Sequence, residues 1–312
     1  MRFELLAGNE MLQLPLPDKE ARTLIGHTAA VHTVVYSSDG AYCLTGSADR
    51  SVKLWNPVTG MCIKTYSTHS KDVLGIALPQ SASDNSRFAS CSMDRGVILW
   101  DVGTGRPVQK WNEHAQRVNT VAFNLDASIL ASGSYDTTVR LWDCRARNTW
   151  KPIQILDGSK DSVEAVQILD TEILVGCVDG RLKIYDVRTG RVTIDAVGHP
   201  IISARFSNDG NCILVNTLDS KIRLFDKETG ELLSEYTGHK NSDYRVVSTF
   251  SYTDAHVISG SEDGRICMWD LVEGNLEKTL EGHTMAVTCV AYHPKLHTMV
   301  STSLDGTVKV WE

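Results

Sequence analysis

Short runs in which apolar and polar residues alternate fill this chain almost from end to end, separated by Gly, Asp and Pro. In residues 282–311, GHTMAVTCVAYHPKLHTMVSTSLDGTVKVW, one run holds Val287, Val290 and Tyr292, His293 and Pro294 turn it, and a second run ends in Val300-Ser301-Thr302. After Leu304-Asp305-Gly306 a third run leads from Thr307 to Trp311. A period of two, with Val and Thr between turn formers, predicts strands, and no helix fits the pattern.

The same unit returns along the chain. The turn aspartates are Asp49, Asp94, Asp136, Asp179, Asp219, Asp263 and Asp305, spaced 40 to 45 residues apart, and each has an aromatic six residues later. Those aromatics are Trp55, Trp100, Trp142, Tyr185, Phe225, Trp269 and Trp311. His27, His69, His114, His199, His239 and His283 open six of the units, while Ser159 stands in the fourth. Four residues before the aspartate come Thr45, Ser90, Ser132, Ser259 and Ser301, replaced by Val175 and Val215 in the fourth and fifth units.

Repetition at this period, with a Gly-His pair, a turn aspartate and a closing aromatic, resembles the WD-repeat β-propeller. The resemblance implies an all-β fold: a seven-bladed ring of four-stranded antiparallel blades. It also implies five buried tetrads of histidine, hydroxyl, aspartate and tryptophan: His27, Thr45, Asp49 and Trp55; His69, Ser90, Asp94 and Trp100; His114, Ser132, Asp136 and Trp142; His239, Ser259, Asp263 and Trp269; His283, Ser301, Asp305 and Trp311. Blades four and five lack the hydroxyl and are expected to be tied less firmly.

Radial repetition lets 312 residues form one domain, because each blade packs only on its neighbours. The third run of the last unit ends at Trp311, leaving no residues after Glu312 for a fourth strand. Arg22-Thr23-Leu24-Ile25 resembles the segments before other units and is expected to supply it, closing a propeller over 19–312 with residues 1–18 as a tail. Closure removes the free sheet edges that invite aggregation.

A net charge of −7 argues against generic binding to a phosphate backbone, which needs clustered Lys and Arg. Nucleic acid is therefore expected only indirectly, through protein partners. The loop from Cys144 to Lys151 carries Arg145, Arg147, Trp150 and Lys151, for which a solvated loop is the favoured reading. The polar insertion QSASDNS at 80–86 reads as an excursion on the opposite face from the turn aspartates. Eight cysteines without CxxC spacing read as buried free thiols of a reducing compartment. The first residues have no secretory pattern and no window approaches a membrane span, so cytoplasm and nucleus are the expected locations, and a monomeric ring the expected state.

An enzyme reading finds little support. The periodic His and Asp recur at blade spacing, which suits structure, since a catalytic group is needed once. His32, His256, His293 and His297 lie outside the repeat and show no metal-ligand spacing, and no Walker loop or GxSxG occurs. No catalytic residue, metal or cofactor is therefore expected. What remains is a binding platform on the face that carries the turn aspartates. There Met93 and Tyr135, with Asp72, Arg117 and Asn119 from the starts of the first strands, are the candidate partner-binding residues, an aromatic and an arginine being frequent anchors.

Finer features resemble the mitogen-activated protein kinase organizer family. AYCLTGSADRSVKLWNPVTG at 41–60, LDSKIRLFDKETGELLSEYTGHKN at 218–241 and SEDGRICMWDLVEG at 261–274 carry the resemblance. LWDCRAR at 141–147, VDGRLKIYDVRTG at 178–190 and AYHP at 291–294 extend it. It implies a non-catalytic scaffold that assembles kinase-cascade components in the cytoplasm and accompanies spliceosomal proteins in the nucleus. The competing function is a substrate-recognition adaptor of a ubiquitin ligase or a reader of modified peptides, and partner identification separates them.

Overall fold

The computed structural model describes residues 16–79, 86–146 and 149–312; the rest of the N-terminal tail, nearly all of the 80–86 insertion and Arg147 lie outside these. Among the described residues, 28 strands form seven four-stranded antiparallel sheets and no helix occurs. The sheets are the blades of a seven-bladed propeller. In blade two, for example, Val73–Ala77 is the inner strand, followed outward by Arg87–Ser92, Val97–Asp101 and Pro107–Trp111.

The pattern of burial explains the patterning of the sequence. Second strands such as Cys43–Ser47 are wholly buried between neighbouring blades, and inner and third strands are buried or half-buried, whereas an outer strand such as Met61–Tyr66 is mostly exposed. The core lies between blades. Tyr66 of blade one meets Phe88 and Trp100 of blade two at ring separations of 4.8 and 5.5 Å, and Phe88 stacks on Trp100 at 9°. Burying aromatics of this size contributes about 2–3 kcal/mol each before entropy is counted.

One backbone device recurs in all seven blades. The N–H of the residue before each turn aspartate (Ala48, Met93, Tyr135, Val178, Leu218, Glu262, Leu304) donates to a carbonyl in the loop that leads into the inner strand, at 2.8–3.1 Å. The residue after each aspartate is left-handed: Arg50, Arg95, Thr137, Gly180, Ser220, Gly264 and Gly306 have φ between 59° and 88°. Both leading loop and aspartate turn are thereby fixed on one face, called the rim face below.

The ring closes through the two ends of the chain. Glu20–Leu24 is the outer strand of blade seven, pairing with Val308–Trp311 in the register Leu24↔Val308 and Arg22↔Val310. Ile25, expected in this strand, lies beyond it and is 82% exposed, while Leu24 is 1% exposed. Residues 16–18 are not a free tail: Pro17 is buried, Asp18 N donates to Glu312 O at 2.9 Å and Lys278 Nζ donates to Leu16 O at 3.2 Å.

Blade six departs from the others. Its inner strand is only Ser248–Phe250, and Val247 instead donates to Thr288 O of blade seven at 2.9 Å. The preceding Arg245 reaches across the ring to carbonyls of Leu74 in blade two and Glu164 in blade four, at 3.3 and 3.0 Å.

Candidate functional site

In blades one, two, three and seven the histidine that opens the repeat is threaded between the turn aspartate and the strand hydroxyl. His27 Nδ1 lies 2.7 Å from Asp49 and its Nε2 2.7 Å from Thr45 Oγ1, which accepts from Trp55 Nε1 at 2.8 Å. The corresponding distances are 3.0, 2.8 and 2.8 Å for His69, Asp94, Ser90 and Trp100. They are 2.8, 2.8 and 2.8 Å for His114, Asp136, Ser132 and Trp142. For His283, Asp305, Ser301 and Trp311 they are 3.0, 2.8 and 2.8 Å.

The electrostatics of these sites are those of a structural tie. Burial lowers the pKa of His27, His114 and His283, against the pull of their aspartates, so the rings are neutral. Burial alone would raise Asp305, but hydrogen bonds from Thr307 and from the Thr284 N–H outweigh it and hold the carboxyl at about 2. Both ring nitrogens of each histidine are engaged within the set, and the aspartate's second oxygen is held by the residue two positions after it, so the polar atoms serve the fold.

The tetrad implied for blade six is not assembled. Neither ring nitrogen of buried His239 has a hydrogen-bond partner among the described residues. Trp269 Nε1 donates to Thr237 O, Ser259 Oγ bonds Ser248 Oγ, and Asp263 is held by Arg265 Nε at 2.8 Å. The cause is the residue two after the aspartate. It is Ser51, Gly96, Thr138 or Thr307 in the four assembled sets, where the hydroxyls or backbone N–H bond Oδ1 and leave Oδ2 to the histidine. In blade six it is Arg265, which takes the carboxylate for itself.

Blades four and five use a cation where the tetrad is missing. Arg223, two residues before Phe225, is 7% exposed and donates to Asp219, Thr217 and Glu235 at 2.5, 2.6 and 3.1 Å. Lys183, two before Tyr185, is 1% exposed and its Nζ bonds the carbonyl of Gly158 and, at 3.2 Å, Ser159 Oγ. These blades are tied differently, and the blade whose opening histidine has neither ring nitrogen bonded is the sixth.

On the rim face, Met93, Arg117 and Tyr135 line one open cleft of 680 Å³ over blades two and three, together with Ser70, Lys71, Asp94, Arg95 and Gln116. The Arg117 guanidinium carbon stands 4.7 Å from the centroid of the Tyr135 ring, which is 44% exposed. Lys71, Arg95 and Arg117 are exposed around it, while the one carboxylate lining it, Asp94, is bound to His69.

Two of the five rim candidates do not join them. Asn119 is 2% exposed and its Nδ2 donates to Ser162 Oγ, Val163 O and Glu164 Oε1 of blade four at 2.9–3.0 Å. A register shift between Val118 and Thr120 turns its side chain into the next blade, as bulges do. Asp72 is half-buried between blades, its Oδ2 3.7 Å from His32 Nε2.

With this geometry in place, comparison with known proteins decides the kinship. The chain is 47% identical to WD repeat domain-containing protein 83 of Rattus norvegicus over 95% of this chain and 92% of that protein. The chain belongs to the family of WD repeat domain-containing protein 83. It is also 47% identical to the Xenopus tropicalis protein of that name, over 95% of this chain and 93% of the relative. The homolog from Dictyostelium discoideum is 32% identical over 93% of this chain and 97% of its own length. The profile described as IFT122 first beta-propeller matches residues 17–241, and WD domain, G-beta repeat matches 230–270 and 274–312. These are WD-repeat propellers, a class whose members are generally not catalysts.

Three potential metal ligands that sequence spacing did not reveal come together in blade six of this WD-repeat ring. His256, Asp270 and Glu277 sit on adjacent strands with ligand atoms within 4.8 Å, but Glu277 is already paired to His256 at 3.1 Å and Asp270 Oδ1 accepts from Val272 N and Glu273 N. In the basic loop of blade three, Arg145 is paired with Asp126, and Lys151 Nζ lies 4.9 Å over the Trp150 ring. All eight cysteines are free; six are buried, Cys212 is half-buried and Cys62 is exposed.

Proposed function

We propose that this chain is a non-catalytic scaffold that assembles multiprotein complexes through its rim face. The observation that carries the reading is the Arg117–Tyr135 pair, an exposed aromatic under a guanidinium, set in a cleft with Met93, Lys71 and Arg95. Aromatic and arginine anchors in a preformed pocket are the usual source of interface energy, and a rigid ring limits the entropy lost on binding. Three cations and no free carboxylate favour a partner segment that presents Asp, Glu or a chain terminus next to an apolar side chain. The resemblance to kinase-organizer propellers makes kinase-cascade components and spliceosomal proteins the first partners to seek, in cytoplasm and nucleus.

Affinity capture with the wild-type chain, with Arg117→Glu/Tyr135→Ala and with Arg145→Ala on the opposite face tests this. Partners retained by wild type and Arg145→Ala but lost by the double variant, at about 2 kcal/mol or more in affinity, support the reading. Loss in Arg145→Ala with retention in the double variant would move the site to the other face. Recovery of ligase subunits in place of kinases or splicing proteins would favour the adaptor function.

A further inference from the structure

The inner strands of all seven blades enclose a central channel, and part of it widens into a cavity of 620 Å³. The cavity opens where the inner strands end, at Ser37, Pro79, Ser207 and Pro294, on the face opposite the rim. Arg245 crosses the channel and bounds the cavity on the rim side, its guanidinium engaged by Leu74 O, Glu164 O and, 3.7 Å from Nε, Glu164 Oε2. The chain as a whole has a net charge of −7, yet among the described residues the only charged side chains lining this cavity are two arginines, Arg205 and Arg245.

Arg205 is the unusual one. Its Nη1 donates to Thr249 Oγ1 at 2.5 Å, and no carboxylate pairs with it among the described residues. Burial lowers its pKa from the ordinary arginine value, against the pull of Cys289 and of Asp254, which lies beyond ion-pair distance. A guanidinium has five N–H donors in a planar fork, and that of the half-buried, cavity-lining Arg205 gives one to Thr249 among the described residues.

We propose that the channel cavity binds a small phosphate-bearing anion, with Arg205 as its principal ligand. A tetrahedral phosphate offers several acceptor oxygens, matching a guanidinium fork in a cavity that Thr33, Thr120, Ser203 and Thr249 of blades one, three, five and six also line. Arg245 keeps its structural bonds and its ion pair with Glu164, which leaves Arg205 as the principal ligand. The volume is that of a small-molecule site. A ligand there would join Arg205 of blade five to Thr249 of blade six, reinforcing the blade whose inner strand is shortest. The site is separate from the rim cleft, so its occupancy and partner capture are tested independently.

The experiment is thermal melting and isothermal titration of the purified full chain with inorganic phosphate, glycerol 2-phosphate and succinate at constant ionic strength. The expected result is saturable one-to-one binding and a raised Tm with a phosphate probe, weakened roughly tenfold or more in Arg205→Gln and unchanged in Arg145→Gln. Binding of inorganic phosphate as tight as that of the ester assigns the free ion, whereas preference for glycerol 2-phosphate assigns an ester. Arg205→Lys, which keeps the charge and loses the fork, replaces Arg205→Gln if the latter does not fold, and the same weakening is expected. No binding of either phosphate probe to wild type at about 10 mM would overturn the proposal, as would equal binding by the Arg205 variant or equal binding of succinate.

Discussion

Arg265 Nε lies 2.8 Å from Asp263 Oδ2, and this pairing separates blade six from the four blades in which the turn aspartate holds a histidine. With the carboxylate turned to Arg265, His239 is left packed on Trp269 in a T-shaped pair, ring centroids 5.5 Å apart at 80°, as an apolar ring would be. A buried imidazole without partners adds desolvation cost and no tie.

His239→Phe is therefore expected to leave stability at neutral pH unchanged or improved. His283→Phe, which strands Ser301 and Asp305, is expected to lose about 1–3 kcal/mol. Urea unfolding of the two variants checks this, and equal losses would mean that blade six is tied like blade seven.

Acid stability should decline in two stages. Burial pushes His239 down to about 4, below its unfolded value near 6.5, so the unfolded chain takes up a proton that the folded chain refuses. Its contribution is fully present above pH 6.5 and is lost as pH falls toward 4. Asp305, held at about 2, contributes stability above its unfolded value near 3.9 that is lost between there and pH 2. His27, His114 and His283 add to the first stage. His239→Phe should flatten the stability slope between pH 6.5 and 4 by up to about 1.4 kcal/mol per pH unit and leave the lower stage intact.

Much of this architecture was legible in the chain because a propeller repeats its chemistry. Asp305 and Trp311 mark a turn and a closing strand wherever their counterparts recur, and the likeness of 22–25 to the segments before other units pointed to the strand that pairs with Val308–Trp311. The state of blade six was also written in the sequence, at Arg265, but in a column read only once the carboxylate geometry is known. Asn119 was not legible: its strand position points outward by alternation, and only the register shift at Val118 and Thr120 turns it inward. The cross-channel reach of Arg245 depends on the curvature of a closed ring, which no local pattern encodes.

Left-handed backbone at Thr137, φ 70°, disfavours a β-branched residue by about 1–2 kcal/mol, part of which glycine would recover after its own entropy cost. Thr137→Gly is expected to stabilise by about 0.5–1 kcal/mol, and Gly306→Ala, at φ 82°, to destabilise by about 1–2 kcal/mol. Chemical denaturation decides both signs.

Closure makes a matching contrast between neighbours. Leu24 is 1% exposed inside the closing strand and Ile25 is 82% exposed just past it. Leu24→Ala should cost about 2–5 kcal/mol through the cavity it leaves, and Ile25→Ala less than about 0.5 kcal/mol. Equal effects in calorimetry would show that the seam does not hold the ring.

The claim that the rim cleft is the working surface is tested most directly by site-specific photo-crosslinking in cells. A photoreactive amino acid at Met93, which lines the cleft, is expected to capture discrete partner bands that vanish when Arg117→Glu is added. The same probe at Tyr42, exposed beside the opposite-face groove of blades one and two, is expected to capture none of them. Partner bands at Tyr42 and none at Met93 would contradict the account.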